Sequence, residues 1–369
     1  MKLTKYQLFW LLFSTEIGLT YLLTIAPMFK DAKQGAPLAM CLAGAASVLV
    51  TLIAVKLSLL YPEETFVTYV PRIVGKWLGK TIVFAYLLLW IVHAGFILRQ
   101  YADFVHMTLF SATPLWVLVV CMVLVVIYAV HGGLHIVGRC SELIGPFLLL
   151  SIVLIMLLSI PNLRPSRLLP LLPTEGWIAV FKGGESPASF LSESFLTVML
   201  VAFLADKKKA LSSSLWGVGV TCIVLMYGVL NVLMILDNTV PAKLQYPVYS
   251  VIQYISIMEF IQNLDILMVV GTIFSIFIKL CLYMFMTSYG TAQLVSIRNW
   301  RKILWVVGVI VFTIALYPRS VNESQEKLPL FWKNVVFPIF LVAIPLLLWI
   351  IGNVRLKMKR SQQTKVPSP

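Results

Sequence analysis

Ten runs of about twenty predominantly apolar residues divide this 369-residue chain. Their approximate limits are 7–29, 36–60, 81–110, 114–133, 141–160, 186–206, 213–237, 265–290, 303–318 and 334–354. A helix of about 20 residues spans the hydrocarbon core of a bilayer, so the pattern predicts an all-α integral membrane protein with ten transmembrane helices. Composition agrees. Hydrophobic residues make up 60% of the chain and charged residues 12%, the latter about half the share usual in soluble domains. Mean hydropathy is +0.93. A soluble chain of this length could not hide so much apolar surface, whereas a lipid-embedded one need not. The whole chain reads as a single transmembrane domain, 1–369, ending in a basic cytoplasmic tail, 355–369. An amphipathic segment near 249–262 is predicted to lie along the membrane surface. The longest loops are 161–185 and 238–264, and the prolines of the first (Pro161, Pro165, Pro170, Pro173) predict an extended path.

The formal net charge of +14 does not signal nucleic acid, because the basic residues sit in short clusters between apolar runs. With the N-terminus inside, 17 Lys and Arg fall in cytoplasmic segments and 9 in external ones. Both termini are therefore expected in the cytoplasm, facing anionic lipid. The first run carries Glu16 and lacks a small-residue cleavage site, so it reads as a span and not a cleaved signal. The five cysteines have no metal-ligand spacing. His131 and His135 flank Gly132 and Gly133 with no third ligand nearby, so no metal and no cofactor is expected. No nucleophile–base pairing or phosphate loop marks an enzyme.

An ionised side chain at bilayer depth is costly and marks a functional site by default. The candidates are Glu16 in the first run, His93, Arg99 and Asp103 in the third, Glu193 in the sixth and Lys279 in the eighth. Ser14–Thr20 and Ser189–Ser194 put small, hydroxyl and acidic residues in mid-span. Two readings stand for each: a helix that unwinds to offer its backbone to a ligand, or a continuous helix whose hydroxyls bond the preceding turn. Arg99 and Asp103 are four apart and can form a structural ion pair. Leu89 lies one turn before His93 on the same face. Lys279 has no acidic neighbour within a turn, so its partner comes from another helix, and Glu16 or Glu193 can supply it. Glu16 to Arg99 is 83 residues and Glu193 to Lys279 is 86, which suggests two five-helix repeats, 7–160 and 186–354. Five is odd, so the repeats would be inverted.

Several ordered motifs carry a family resemblance. They are Ile17-Gly18 followed by Ala26-Pro27, Arg99 with Asp103 and the exit Thr113-Pro114, the Pro-Asn-Leu-Arg-Pro stretch from Pro161, segment 247–261, and Phe277-Ile278-Lys279. Together the chain resembles the B-subunit family of bacterial spore germinant receptors, a branch of the amino acid–polyamine–organocation transporter superfamily. The resemblance implies inverted repeats with helices 1 and 6 broken. It implies a sensor of a small nutrient, an amino acid or sugar, in the spore inner membrane, with a membrane A subunit and a lipid-anchored C subunit as partners. It places the ligand pocket at Glu16, Ile17 and Gly18, at Leu191, Ser192, Glu193 and Ser194, at Leu89 and His93, and at Lys279. It also suggests that Lys279 stands where related transporters hold sodium against helix-1 carbonyls, or else binds a ligand carboxylate. An ion- or proton-coupled amino acid transporter is the alternative reading, since the fold permits both.

Overall fold

The computed structural model describes residues 2–170, 176–253, 264–318, 323 and 328–363. Among them all regular structure is helical, apart from one isolated bridge between Leu3 and Leu204. Seven helical stretches of the described residues are long and apolar enough to cross a membrane, and Leu115–His131 is a shorter apolar helix. The chain is a multi-pass membrane protein.

The helices are α1 (Lys5–Leu23), α2 (Ile25–Ala32), α3 (Ala36–Ser58), α4 (Phe66–Val74), α5 (Lys76–Thr108), α6 (Leu115–His131) and α7 (Leu134–Ser159). They continue as α8 (Trp177–Leu191), α9 (Thr197–Leu200), α10 (Ala210–Leu236), α11 (Pro247–Gln253), α12 (Leu264–Val295), α13 (Trp300–Leu316), α14 (Leu328–Phe331) and α15 (Ile344–Gln363). A 3₁₀ segment, Ser192–Leu196, joins α8 to α9, and a π-helical stretch, Trp332–Ala343, joins α14 to α15. Helix α1 packs against α7, α10 and α12, and α3 lies along α8 and α10.

A capping box starts α1: the Thr4 hydroxyl accepts from the Gln7 amide, and the Gln7 side chain accepts from the Thr4 amide. The Gln7 side-chain amide then donates to Glu142 on α7 at 3.1 Å. Close approach elsewhere relies on glycine, as is usual between helices in lipid. A Cβ on Gly183 would meet the Ala32 methyl at 2.6 Å, and one on Gly184 would meet the Ala39 carbonyl at 2.9 Å.

The structure corrects several sequence boundaries. The first run is two helices, broken at Thr24. The loop 161–185 ends early, because α8 begins at Trp177 after Gly176, whose φ of 81° suits glycine. Lys182, Gly183, Gly184 and Glu185 dilute the hydropathy there, yet Val180, Gly183 and Gly184 are buried against α2 and α3. The remainder of that loop contains short 3₁₀ turns at Ile160–Asn162 and Pro165–Leu168, so it is not purely extended. Residues 171–175 lie outside the described residues. Helix α4 occupies what reads as a loop, and Phe66, Tyr69, Val70 and Ile73 form its buried stripe. Of the amphipathic segment 249–262, only the part within α11 is described; Val251 and Ile252 are buried against neighbouring helices and not laid on a surface. Tyr254–Asn263 lies outside the described residues. The start of the basic tail is helical, as α15 runs to Gln363.

Candidate functional site

The 3₁₀ segment after α8 forms because α3 accommodates it. A 3₁₀ stretch breaks the α-helical hydrogen-bond register and frees carbonyls that must find donors. Three hydroxyls on one face of α3 meet that segment. Ser47 donates to the Leu191 carbonyl at 2.7 Å, Thr51 to the Ser194 hydroxyl at 2.8 Å, and Ser58 to the Val198 carbonyl at 2.9 Å. Held in this way, Ser192–Leu196 projects the Glu193 carboxylate into the protein.

Glu193 is the hub of a buried polar cluster. The Lys279 ammonium lies 2.9 Å from both carboxylate oxygens, donating to Oε1. The Tyr283 hydroxyl donates to Oε2 at 2.8 Å. His93 Nε2 stands 3.2 Å from Oε1. Lys279 is 0% exposed and Glu193 2%, so this charge pair is fully withdrawn from solvent. The Phe190 ring faces the Lys279 ammonium at 5.6 Å, a cation–π distance. The His93 imidazole stacks on Trp332 with centroids 3.8 Å apart. Leu89 lines a small cavity beside Glu193 and Tyr283, walled by Trp90, Phe195 and Trp332.

Above the cluster, an open vestibule reaches down to Phe190 from the end of the molecule where α1 meets α2. Lys30, Lys243 and Lys333 rim it together with Asp31. Lys333 pairs with Glu185 at 2.6 Å. Phe190 thus lies between the vestibule and Lys279.

Glu16 lies beside the ion pair, within reach of its charges, without bonding to either partner. Both its oxygens are buried and make no hydrogen bond among the described residues. The Ser194 amide faces the carboxyl without reaching hydrogen-bond geometry. The hydroxyls of Ser14, Thr15, Thr20 and Ser192 are likewise buried without a partner among the described residues.

Helix α1 does not unwind at Glu16–Gly18, contrary to the broken-helix expectation; residues 5–23 are helical. A side chain from α12 nevertheless engages its hydrogen-bond ladder at one step. The Ser275 hydroxyl accepts from the Gly18 amide at 2.9 Å and donates to the Ser14 carbonyl at 2.6 Å. It therefore bridges the two backbone groups that a helix pairs with each other, an insertion known to distort helices locally. Only glycine permits this approach: a Cβ on residue 18 would stand 2.4 Å from the Ser275 oxygen. The group meeting helix-1 carbonyls is accordingly the Ser275 hydroxyl, and the Lys279 ammonium is committed to Glu193 and not to Glu16.

Arg99 and Asp103 form a separate buried pair, Nε to Oδ1 at 2.8 Å. Arg99 also donates to the Pro318 carbonyl, tying α5 to the end of α13.

Of the residues singled out in the sequence, the structure gathers His93, Glu193 and Lys279 into direct contact and brings Leu89 alongside. Leu191, Ser192 and Ser194 carry the turn that positions Glu193. Ile17 and Gly18 border a different, apolar cavity. Tyr283, Ser275, Phe190 and Trp332 were missed. Two of these had a signal: Ser275, Lys279 and Tyr283 are spaced by four and form one polar stripe on α12.

Comparison with known proteins places this arrangement. The fold is that of Mhp1, a nucleobase-cation-symport-1 family transporter, solved in a closed conformation with bromovinylhydantoin bound. That likeness has a TM-score of 0.67 at 11% identity, over 91% of this chain and 78% of Mhp1. It is likewise similar to MhsT in complex with L-phenylalanine, with a TM-score of 0.63 at 12% identity, over 96% and 99% of the two chains. In sequence it is similar to spore germination protein KB of Bacillus subtilis (strain 168), 25% identical over 97% of this chain and 96% of the relative. Spore germination protein YndE of the same organism is 29% identical over 54% of this chain and 56% of its own length. Spore germination protein A2 is 24% identical over 69% and 70%. A family model described as spore germination protein matches residues 2–324, and the chain belongs to that family.

Proposed function

We propose that this chain is the ligand-binding subunit of a spore germinant receptor, sensing a small polar nutrient such as an amino acid or sugar. The buried Glu193–Lys279 pair carries the reading. It lies beneath an open vestibule and beside a 3₁₀ break, and intramembrane charges of this kind mark ligand or ion sites. Lys279 and Glu193 offer a cation and an anion to the ends of a polar solute, and His93 and Tyr283 offer further hydrogen-bonding groups. Binding favours one conformation by its differential affinity. A membrane A subunit and a lipid-anchored C subunit receive that change, in keeping with the germination proteins among the relatives. The working frame is ten spans in two inverted repeats, both termini cytoplasmic, in the spore inner membrane.

The test is deletion. Spores lacking the protein should fail to germinate on one nutrient class, while vegetative growth stays normal. A growth defect cured by feeding an amino acid, with loss of radiolabelled uptake in vesicles, would point to a transporter instead.

The frame makes a topological prediction as well. Lys182 lies near the start of the helical run Trp177–Phe203, and Lys208 lies just beyond its other end. Single cysteines at the two positions should be labelled from opposite sides of the membrane. Labelling of both from one side defeats the ten-span arrangement.

A further inference from the structure

A second cavity lies on the side of α1 away from the ion pair, and its chemistry is different. It is enclosed by α1, α7, α10, α11 and α12. Apolar residues dominate the lining, among them Ile155, Val232, Val251 and Met268. Among the described residues, no Asp, Glu, Lys, Arg or His borders it. A zwitterion or ion entering this space would leave its charges without partners. The wall is not wholly inert, however. Asn231 is 7% exposed, and its amide nitrogen donates to the Ser159 hydroxyl at 2.5 Å. Its Oδ1 is buried with no hydrogen-bond partner among the described residues. This lone acceptor sits in a residue that lines the cavity. Such an orphan is destabilising, and a donor supplied by a ligand would satisfy it.

We infer that this cavity is a binding site for a small neutral amphiphile, an uncharged molecule with an apolar body and one hydroxyl donor directed at Asn231 Oδ1. Small pockets with apolar walls and one or two placed polar groups bind such ligands, the polar group setting orientation. Glycine gives the space: Gly271 has only the tip of the Leu148 side chain near its missing Cβ, at 3.2 Å, so a larger residue there fills the cavity without striking backbone. The site is separate from the ion pair, and it meets α1 only through Ile17, Gly18 and Tyr21.

The test uses purified full-length protein in lipid nanodiscs and a benzyl alcohol carrying a trifluoromethyl-diazirine as photoprobe. Labelling of α7 and α12 residues facing the cavity should saturate, and excess benzyl alcohol should displace it. Toluene, equal in shape but without the donor, should compete about tenfold less well. Gly271→Leu should abolish the displaceable labelling. Asn231→Leu should reduce the alcohol-to-toluene ratio to about one, and this comparison decides the matter even if Gly271→Leu folds poorly. Excess amino acid or sugar should leave the labelling undisplaced, which separates this site from the nutrient site. Labelling that rises in proportion to probe, persists undiminished in folded Gly271→Leu, or is competed equally by toluene in the wild type would overturn the inference.

Discussion

Replacing Lys279 with methionine should destabilise the protein by about 3–5 kcal/mol, because it strands a buried carboxylate. Methionine keeps the bulk of the side chain, so the loss is electrostatic and not a cavity effect. Glu193 would keep only the Tyr283 hydroxyl as a hydrogen-bond donor, with His93 at 3.2 Å. The expected readout is a marked drop in the thermal midpoint of the detergent-solubilised protein, with little accumulation in membranes. The double change Lys279→Met with Glu193→Gln removes both charges together and should restore most of the loss, since a neutral pair leaves no stranded ion. Both variants should be blind to nutrient. A single Lys279→Met protein as stable as wild type would show that Glu193 does not depend on the ammonium.

Gly18→Ala should be the next most damaging change, even though it adds one methyl group. The new Cβ would stand 2.4 Å from Ser275 Oγ and 2.7 Å from its Cβ, both on the stem of the side chain. Something must shift, and overpacking of this kind costs about 1–3 kcal/mol. Helix α12 would be pushed from α1, carrying Lys279 and Tyr283 with it. Nutrient response should fall steeply in consequence. Gly18→Ala with Ser275→Gly relieves the collision and leaves Ser14 and Gly18 to their own helix. Stability should return, measured again as thermal midpoint. If Gly18→Ala alone behaves as wild type, the wedge is not under steric control.

How much of this was legible in the sequence differs by residue. Glu193 and Lys279 were conspicuous, because charges in apolar runs have no other explanation, and their mutual pairing was one of two stated options. The choice between Glu16 and Glu193 was not legible, since it depends on the 3₁₀ turn that aims Glu193 inward. That turn in turn rests on Ser47, Thr51 and Ser58, three ordinary-looking hydroxyls on another helix. Trp332 could not be read as a partner of His93, because nothing local links positions on such distant helices. Helix α4 was readable in principle: Phe66, Tyr69, Val70 and Ile73 recur at helical spacing, but the span is too short for a membrane-length window. The break in α1 was expected where polar residues cluster, at Glu16–Gly18. It falls instead at Thr24, because Pro27 has no N–H for the Leu23 carbonyl and its ring crowds that carbonyl.

The Ser275 wedge also bears on the order in which the protein can be made. Ser275 leaves the ribosome 257 residues after Gly18. Until then α1 has no foreign hydroxyl in its ladder and is free to close the Ser14–Gly18 bond itself, the form in which an apolar segment enters lipid at least cost. Insertion and final geometry are therefore separated in time. The first helix enters lipid on its own backbone bonds, and the Ser275 bridge is added only when the synthesis of α12 delivers the serine. In a chain stopped before residue 275 the first helix should lack that tie and exchange its Gly18 amide proton faster than the finished protein does.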